Sequence, residues 1–313
     1  MTRFTSLAAA IVAGAALTYA AAIDSRIAVT SAGSALVERK LAKAAPSAAE
    51  LSAFEEVPHP ALRFRIDNAR ATRAPWVDSN AWRYFRGLAK ANYAKLPPGS
   101  APLAAAEAFM FDVDAVLNPD PKDLDALGTM LEFLEAQRQP AMPPLANIEV
   151  VDDGAPTLGE ILNLMTRRNL LYRVVKKPEG KLDLTVKIGS KEFSAAEAAN
   201  PYDFAAKVRD KLGDDKRLIR LYGTSTTIAR LTSDGKRARL YLLEYGAARD
   251  RNMGGGPDQT LRVRLLGKYR PVKFAGFGTN ADAKLTDVEN PGAATEFWVP
   301  AFTTVAVIDL ERM

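Results

Sequence analysis

The order of apolar and polar positions changes character three times along the chain. Residues 1 to 22 carry one basic residue, Arg3, then an apolar stretch from Leu7 through Leu17, then Ala20-Ala21-Ala22 ahead of the polar Asp24-Ser25-Arg26. That layout predicts a secretory signal peptide with a small-residue cleavage site. The competing reading is a membrane anchor, but the apolar run is rich in Ala and at the short edge of what crosses roughly 30 Å of hydrocarbon. No later window approaches the length of a span, so the mature chain is expected to be periplasmic or extracellular, with no stable membrane span after cleavage.

From residue 23 to 74, alanine and charge dominate, and a helical and extended segment is expected. Ser47-Ala48-Ala49-Glu50 has the form of a capping box, in which the Ser and Glu side chains satisfy free N–H groups at a helix start. Pro58 and Pro60 close that helix, and Leu62-Arg63-Phe64-Arg65-Ile66 alternates as a half-buried strand does. Two helices follow, one over 101–117 and one over 120–137. The second opens on Asp120-Pro121 and repeats Leu124, Leu127, Leu131 and Leu134 at three- and four-residue steps. Gln139 to Pro144 reads as a linker.

Beyond it strands at 148–151, 171–175 and 182–188 interleave with helices at 158–169 and 201–212. Thr157 with Glu160 suggests a second capping box, and Asn200-Pro201 opens the last helix. From Leu218 helix signals cease, and seven short strands follow at 219–222, 226–231, 238–243, 261–266, 272–277, 295–299 and 303–310. Ser233-Asp234-Gly235 marks a hairpin. The expected fold is therefore an α/β, Rossmann-like layer with preceding helices over 75–216, followed by a C-terminal antiparallel β-sandwich over 217–313.

Composition narrows the chemistry. Among 313 residues, 42 Lys+Arg oppose 37 Asp+Glu, and the basic residues are scattered, so nucleic acid is not an expected partner. The chain has no Cys and one His, His59 in a loop between prolines, which removes thiolate nucleophiles, Cys-ligated metals and two-His metal motifs. No metal and no cofactor is expected.

Four sets of residues could carry function. Glu107 has Leu103, Met110 and Phe111 as helical neighbours, so its carboxylate lies on an apolar stripe and needs a partner or a proton. It is either a glycosidase-type acid, working with Asp78, Asp112 or Asp114, or a buried strut paired with Arg83 or Arg86. The segment Trp76-Val77-Asp78-Ser79-Asn80-Ala81-Trp82-Arg83 offers rings and hydroxyl-binding groups to a sugar, or else fills a core with its two Trp side chains. Asp152-Asp153-Gly154 follows a strand and precedes a helix, where α/β sheets bind ligands, although aspartates there also cap and turn the chain. Arg167-Arg168 suits the negative end of a helix, and Gly254-Gly255-Gly256 a loop between strands.

The later segments resemble a known family. Ile228-Ala229-Arg230-Leu231, Leu240 to Tyr245, Val263 to Lys268, Phe297-Trp298-Val299-Pro300 and Val305 to Leu310 are similar in style to the small β domain that ends secreted bacterial glycoside hydrolases of the β-galactosidase type. Residues 150–188 resemble the amidotransferase-like α/β domain that precedes it there. The resemblance covers about half the chain and leaves too little sequence for the catalytic barrel, which takes at least about 200 residues. It implies a C-terminal accessory region that binds a polysaccharide, an oligosaccharide or a partner protein without catalysis, and it carries over no catalytic residue. The alternatives are an active hydrolase using Glu107 with Asp78 or Asp114, and a structural envelope protein. A carboxylate pair about 5 to 10 Å apart in an open cleft would mark the hydrolase.

Overall fold

The computed structural model describes residues 26–64, 75–155, 157–248 and 261–313. The expected signal peptide, the Arg65-Ile66 end of the expected strand and the Gly254-Gly255-Gly256 loop lie outside them.

The first lobe is built on a five-stranded, all-parallel sheet in the order Lys43–Ala44, Ile27–Val29, Asp114–Leu117, Lys90–Tyr93, Glu55–Glu56. Three of these strands come from the segment read as helical and extended, and two from beyond residue 74. The helix expected to reach residue 117 stops at Phe111. Asp112 turns left-handed there, with φ of 60°, and the chain continues as the strand Asp114–Leu117.

That helix, Ala101–Phe111, buries nine of its eleven residues. A helix apolar on every side belongs inside a molecule, and this one packs both on the parallel strand Asp114–Leu117 and on the antiparallel strand Arg237–Glu244. Alanines at 101, 104, 105, 106 and 108 let both layers approach closely. The helix Leu124–Ala136 lies against it and buries Leu127, Leu131 and Leu134, as their spacing predicts.

A second parallel sheet has three strands, in the order Leu184–Val186, Ile148–Val151, Tyr172–Val175. Helices Leu158–Arg167 and Pro201–Leu212 share one apolar cluster with it, including Val150, Leu162, Phe204 and Val208. Asn200 caps the second of these helices, its side chain accepting from Asp203 N at 3.3 Å. Thr157 makes no capping bond; the second capping box is Ser194 with Glu197, at the start of the short helix Ala195–Ala198.

The remaining chain forms two four-stranded antiparallel sheets. One runs Ile219–Tyr222, Leu261–Leu266, Ala294–Val299, Thr286–Glu289; the other runs Thr227–Ser233, Arg237–Glu244, Val305–Arg312, Tyr269–Gly276. Asp234 Oδ1 accepts from the N–H groups of Lys236 and Arg237 at 3.0 and 2.7 Å, and Gly235 takes a φ of +94°, which closes the predicted hairpin. Leu231, Leu240, Leu242 and Ile308 of one sheet share a cluster with Val263, Leu265 and Phe297 of the other.

The pattern alone puts Leu240, Leu242, Val305 and Val307 on one face, and the register corrects this. Leu240 pairs with Ile308 and Leu242 with Ala306, so Val305 and Val307 turn to the opposite face. There they join Ile228, Leu243 and Tyr245 in the core of the first lobe. The linker also has a place: Ser233 N donates to Pro143 O at 2.9 Å and Leu145 N to Leu231 O at 2.8 Å, which covers the open edge of the strand Thr227–Ser233. Among the described residues no helix is long and apolar enough to cross a membrane.

Candidate functional site

Glu107 is 0% exposed. Elements from four parts of the chain surround it: the Ser79-Asn80 turn after the strand Pro75–Asp78, Tyr84 on the helix Ala81–Phe85, Tyr93 at the carboxyl end of its strand, and Tyr245 just after the strand Arg237–Glu244. Oε1 accepts from Ser79 Oγ at 3.0 Å, Asn80 N at 2.9 Å and Tyr245 OH at 2.6 Å. Oε2 accepts from Asn80 Nδ2 at 3.0 Å and Tyr93 OH at 2.8 Å. Tyr84 bonds to the Tyr93 hydroxyl, Tyr245 lies 2.7 Å from Ser79 Oγ, and the other Asn80 amide hydrogen goes to Pro58 O at 2.8 Å.

The expected arginine strut is therefore replaced by five neutral donors. Arg86 forks instead onto Asp152 at 2.8 and 2.9 Å. Arg83 lies 4.3 Å from the Trp82 ring centroid and 3.9 Å from Glu55. Hydroxyl and amide donors converging on one acceptor in a low-dielectric interior reinforce one another. Burial and the charge of Glu107 hold the hydroxyls of Tyr84, Tyr93 and Tyr245 well above their ordinary ionisation range. A general acid must come within hydrogen-bond reach of a substrate oxygen, and every contact of Glu107 here is internal.

The other candidates are dispersed. Asp78 ends its strand bonded to Arg63 and takes no part in the Glu107 network. Asp114 opens its strand at the amino edge of the sheet, 3.7 Å from Arg26, away from the carboxyl edge where α/β sheets bind ligands. Asp112 is also held by Arg26, at 3.1 Å. Trp76 carries the Arg167 guanidinium 3.7 Å above its ring, and Trp82 packs over Gly159; both rings lie against the second apolar cluster. Asn80 is the one binding candidate that meets Glu107. Asp152 is 8% exposed, and the Arg86 fork, with help from Gly154 N at 3.0 Å and Lys176 at 3.4 Å, holds its carboxyl far below the usual range. Asp153 turns the chain, accepting from Ala155 N at 3.0 Å. Among the described residues no group of three or more His, Cys, Asp or Glu is placed to hold a metal.

Sequence reasoning missed one arrangement. On the first antiparallel sheet, Ile219, Val263 and Phe297 face the core, so their strand neighbours face outward. Register aligns the outward residues in two rows: Tyr222, Arg262, Trp298 and Thr286, then Arg220, Arg264 and Glu296 with Glu289 beside it. Strands about 4.8 Å apart place Tyr222 and Trp298, two strands apart, about 10 Å from each other. Arg262 lies between them, 2.9 Å from Glu296, 3.4 Å from Glu289 and 5.7 Å from the Trp298 centroid. Arg220 sits 5.2 Å from the Tyr222 centroid, and Tyr222 is 39% exposed. The alternation of Leu261-Arg262-Val263-Arg264-Leu265 announces a strand; only cross-strand register brings these rings and charges together.

No family model matches the chain, and no curated protein matches it. Among solved structures it is similar to α-L-fucosidase isoenzyme 2 from Paenibacillus thiaminolyticus, at 8% identity and a TM-score of 0.49 over 71% of this chain and 60% of that one. It is also similar to the apo exo-carrageenase GH42 from Bacteroides ovatus, at 8% identity and 0.32 over 72% and 40%, and to the α-amylase from H.orenii, at 11% identity and 0.21 over 75% and 51%. The chain thus spans 60% and 40% of the length of the first two, and no residue role transfers from any of the three.

Proposed function

We propose that this chain is an exported, non-catalytic carbohydrate-binding protein of glycoside-hydrolase-like build, an accessory α/β region followed by a β-sandwich formed by its two antiparallel sheets. The observation that carries the reading is the outward row Tyr222, Arg262, Trp298. Aromatic faces stack on the C–H faces of pyranose rings, and Arg262 and Glu296 beside them supply donors and acceptors for sugar hydroxyls. The enclosure of Glu107 supports the absence of catalysis, and the pattern of residues 1 to 22 supports export with cleavage after the alanines.

A glycan array probed with the mature chain tests this. The expected result is saturable binding to a saccharide class, weakened at least about ten-fold, or about 1.4 kcal/mol, in Trp298→Ala, with no turnover of chromogenic glycosides. Binding that Trp298→Ala and Tyr222→Ala leave untouched would contradict it, as would hydrolysis by the wild type.

A further inference from the structure

Two properties of the outward row Tyr222, Arg262, Trp298 restrict the glycan that it fits: the spacing of its rings and the state of its charges. Tyr222 pairs with Arg262 and Arg262 with Trp298, so the two aromatic residues stand two strands apart on one register line, about 10 Å from each other. Tyr222 is 39% exposed and Trp298 is half-buried, so both offer surface to solvent on this face. Arg262 fills the interval, its guanidinium 5.7 Å from the Trp298 centroid. A sugar between the rings therefore meets N–H donors rather than a third aromatic face.

The arginines of the outward rows are already matched. Arg262 lies 2.8 Å from Glu296 and 3.4 Å from Glu289, Arg264 lies 3.4 Å from Glu296, and Arg220 lies 3.8 Å from Asp214. An anionic group on a ligand would have to displace a resident carboxylate from Arg262. It would also sit against Glu289, whose side chain is 62% exposed, and like charges brought together across an interface repel. A hydroxyl group escapes that cost, because it donates to carboxylate oxygens and accepts from guanidinium N–H groups.

Building on the saccharide-binding reading of this face, we propose that its ligand is an uncharged, extended glycan of at least three pyranose rings, joined through equatorial bonds and laid across the strands. In such a chain each ring is turned over relative to the one before, and the same face returns at every second ring. The length of that repeat matches the interval from Tyr222 to Trp298. The first ring stacks on Tyr222 and the third on Trp298, while the second presents its hydroxyls to Arg262 and Glu296. A chain with axial links curves and does not lie on both aromatic residues at once. A disaccharide reaches one of them.

Calorimetric titration of the mature chain at constant ionic strength tests this. Cellobiose, cellotriose and cellotetraose probe the length, maltotriose the linkage, and cellotriuronate, which is cellotriose with each primary alcohol oxidised to a carboxylate, the charge. Cellotriose is expected to bind at least about five-fold more tightly than cellobiose, the worth of a second stacked ring. The further gain for cellotetraose is smaller, and maltotriose and cellotriuronate bind more weakly than cellotriose. In Tyr222→Ala, a change at an exposed position, the step from cellobiose to cellotriose disappears, whereas Lys236→Gln keeps it; a merely destabilised variant loses affinity for both sugars together. Equal affinity for cellobiose and cellotriose, a step that survives Tyr222→Ala, or tighter binding of maltotriose or cellotriuronate overturns the inference. Carbohydrate binding by this face still stands in those cases if Trp298→Ala weakens it. Failure of every cello-oligosaccharide to saturate also overturns the inference, and failure of every glycan on the array overturns the reading beneath it.

Discussion

At Glu107 the exchange of one counter-ion for five neutral donors changes how the protein responds to pH. Tyr84, Tyr93 and Tyr245 ionise near pH 10 in an unfolded chain, but in the fold burial and the neighbouring carboxylate keep them protonated beyond that. Their folded ionisation range is raised, so the stability they contribute is complete below about pH 10 and falls as the pH rises past it. Tyr172, buried beside Thr166, is raised as well. These four tyrosines are expected to titrate only as near-ultraviolet dichroism is lost on alkaline unfolding. Free ionisation of these four near pH 10 in the folded protein would contradict the network. The sequence made the burial of Glu107 legible through Leu103, Met110 and Phe111. Its partners were not legible, because they come from residues 79, 80, 93 and 245, up to 138 positions away.

At the scale of elements, close approaches do the work that length does not. The helix Leu158–Arg167 packs on the helix Ala81–Phe85 through Gly159, where an added Cβ would lie 2.9 Å from the Trp82 ring. Alanine is favoured over glycine in a helix by up to about 1 kcal/mol, but forcing a methyl group into a ring held against a core costs typically about 1–3 kcal/mol. Gly159→Ala is therefore expected to lose stability in urea unfolding; a variant as stable as the wild type would show that Trp82 is free to move. The same economy explains what the pattern of residues could announce. Leu261–Leu266 alternates along its six residues, and Arg237–Glu244 and Val305–Arg312 are long apolar runs of eight residues, so all three were readable as strands. The five strands of the first parallel sheet have two to four residues each, and Lys43–Ala44 and Glu55–Glu56 carry no apolar alternation at all. Their place is set by pairing, not by periodicity. Helix ends are likewise fixed from afar: Arg239, 2% exposed, donates to Gln137 O at 2.6 Å at the end of the helix Leu124–Ala136, as Arg230 does for the helix before it.

For the whole molecule, these contacts make the parallel first lobe and the second antiparallel sheet one cooperative unit. The sheet that carries Leu243, Val305 and Val307 is apolar on both faces, and the helix Ala101–Phe111 is covered on one side by that sheet. A fragment of residues 23–216 would expose this alanine-rich helix and leave Glu107 without Tyr245. It is expected to lack near-ultraviolet dichroism and to associate in sedimentation, while the mature chain unfolds in a single calorimetric transition. A monomeric, folded fragment would contradict the coupling. The binding face on the other sheet was out of reach of sequence reading for a related reason: Tyr222, Arg262 and Trp298 are neighbours only through register.

Glu107 ties together Ser79, Asn80, Tyr93 and Tyr245, and the proposal that this role is structural and not catalytic is tested most directly by urea unfolding of Glu107→Gln beside a glycoside panel on the wild type. The amide puts a donor where five donors already converge, so a loss of about 2–4 kcal/mol is expected. In a Tyr245→Phe background, where one of those donors is already gone, the further loss should be smaller. A Glu107→Gln variant as stable as the wild type, together with glycoside hydrolysis by the wild type that the variant lacks, would contradict the account.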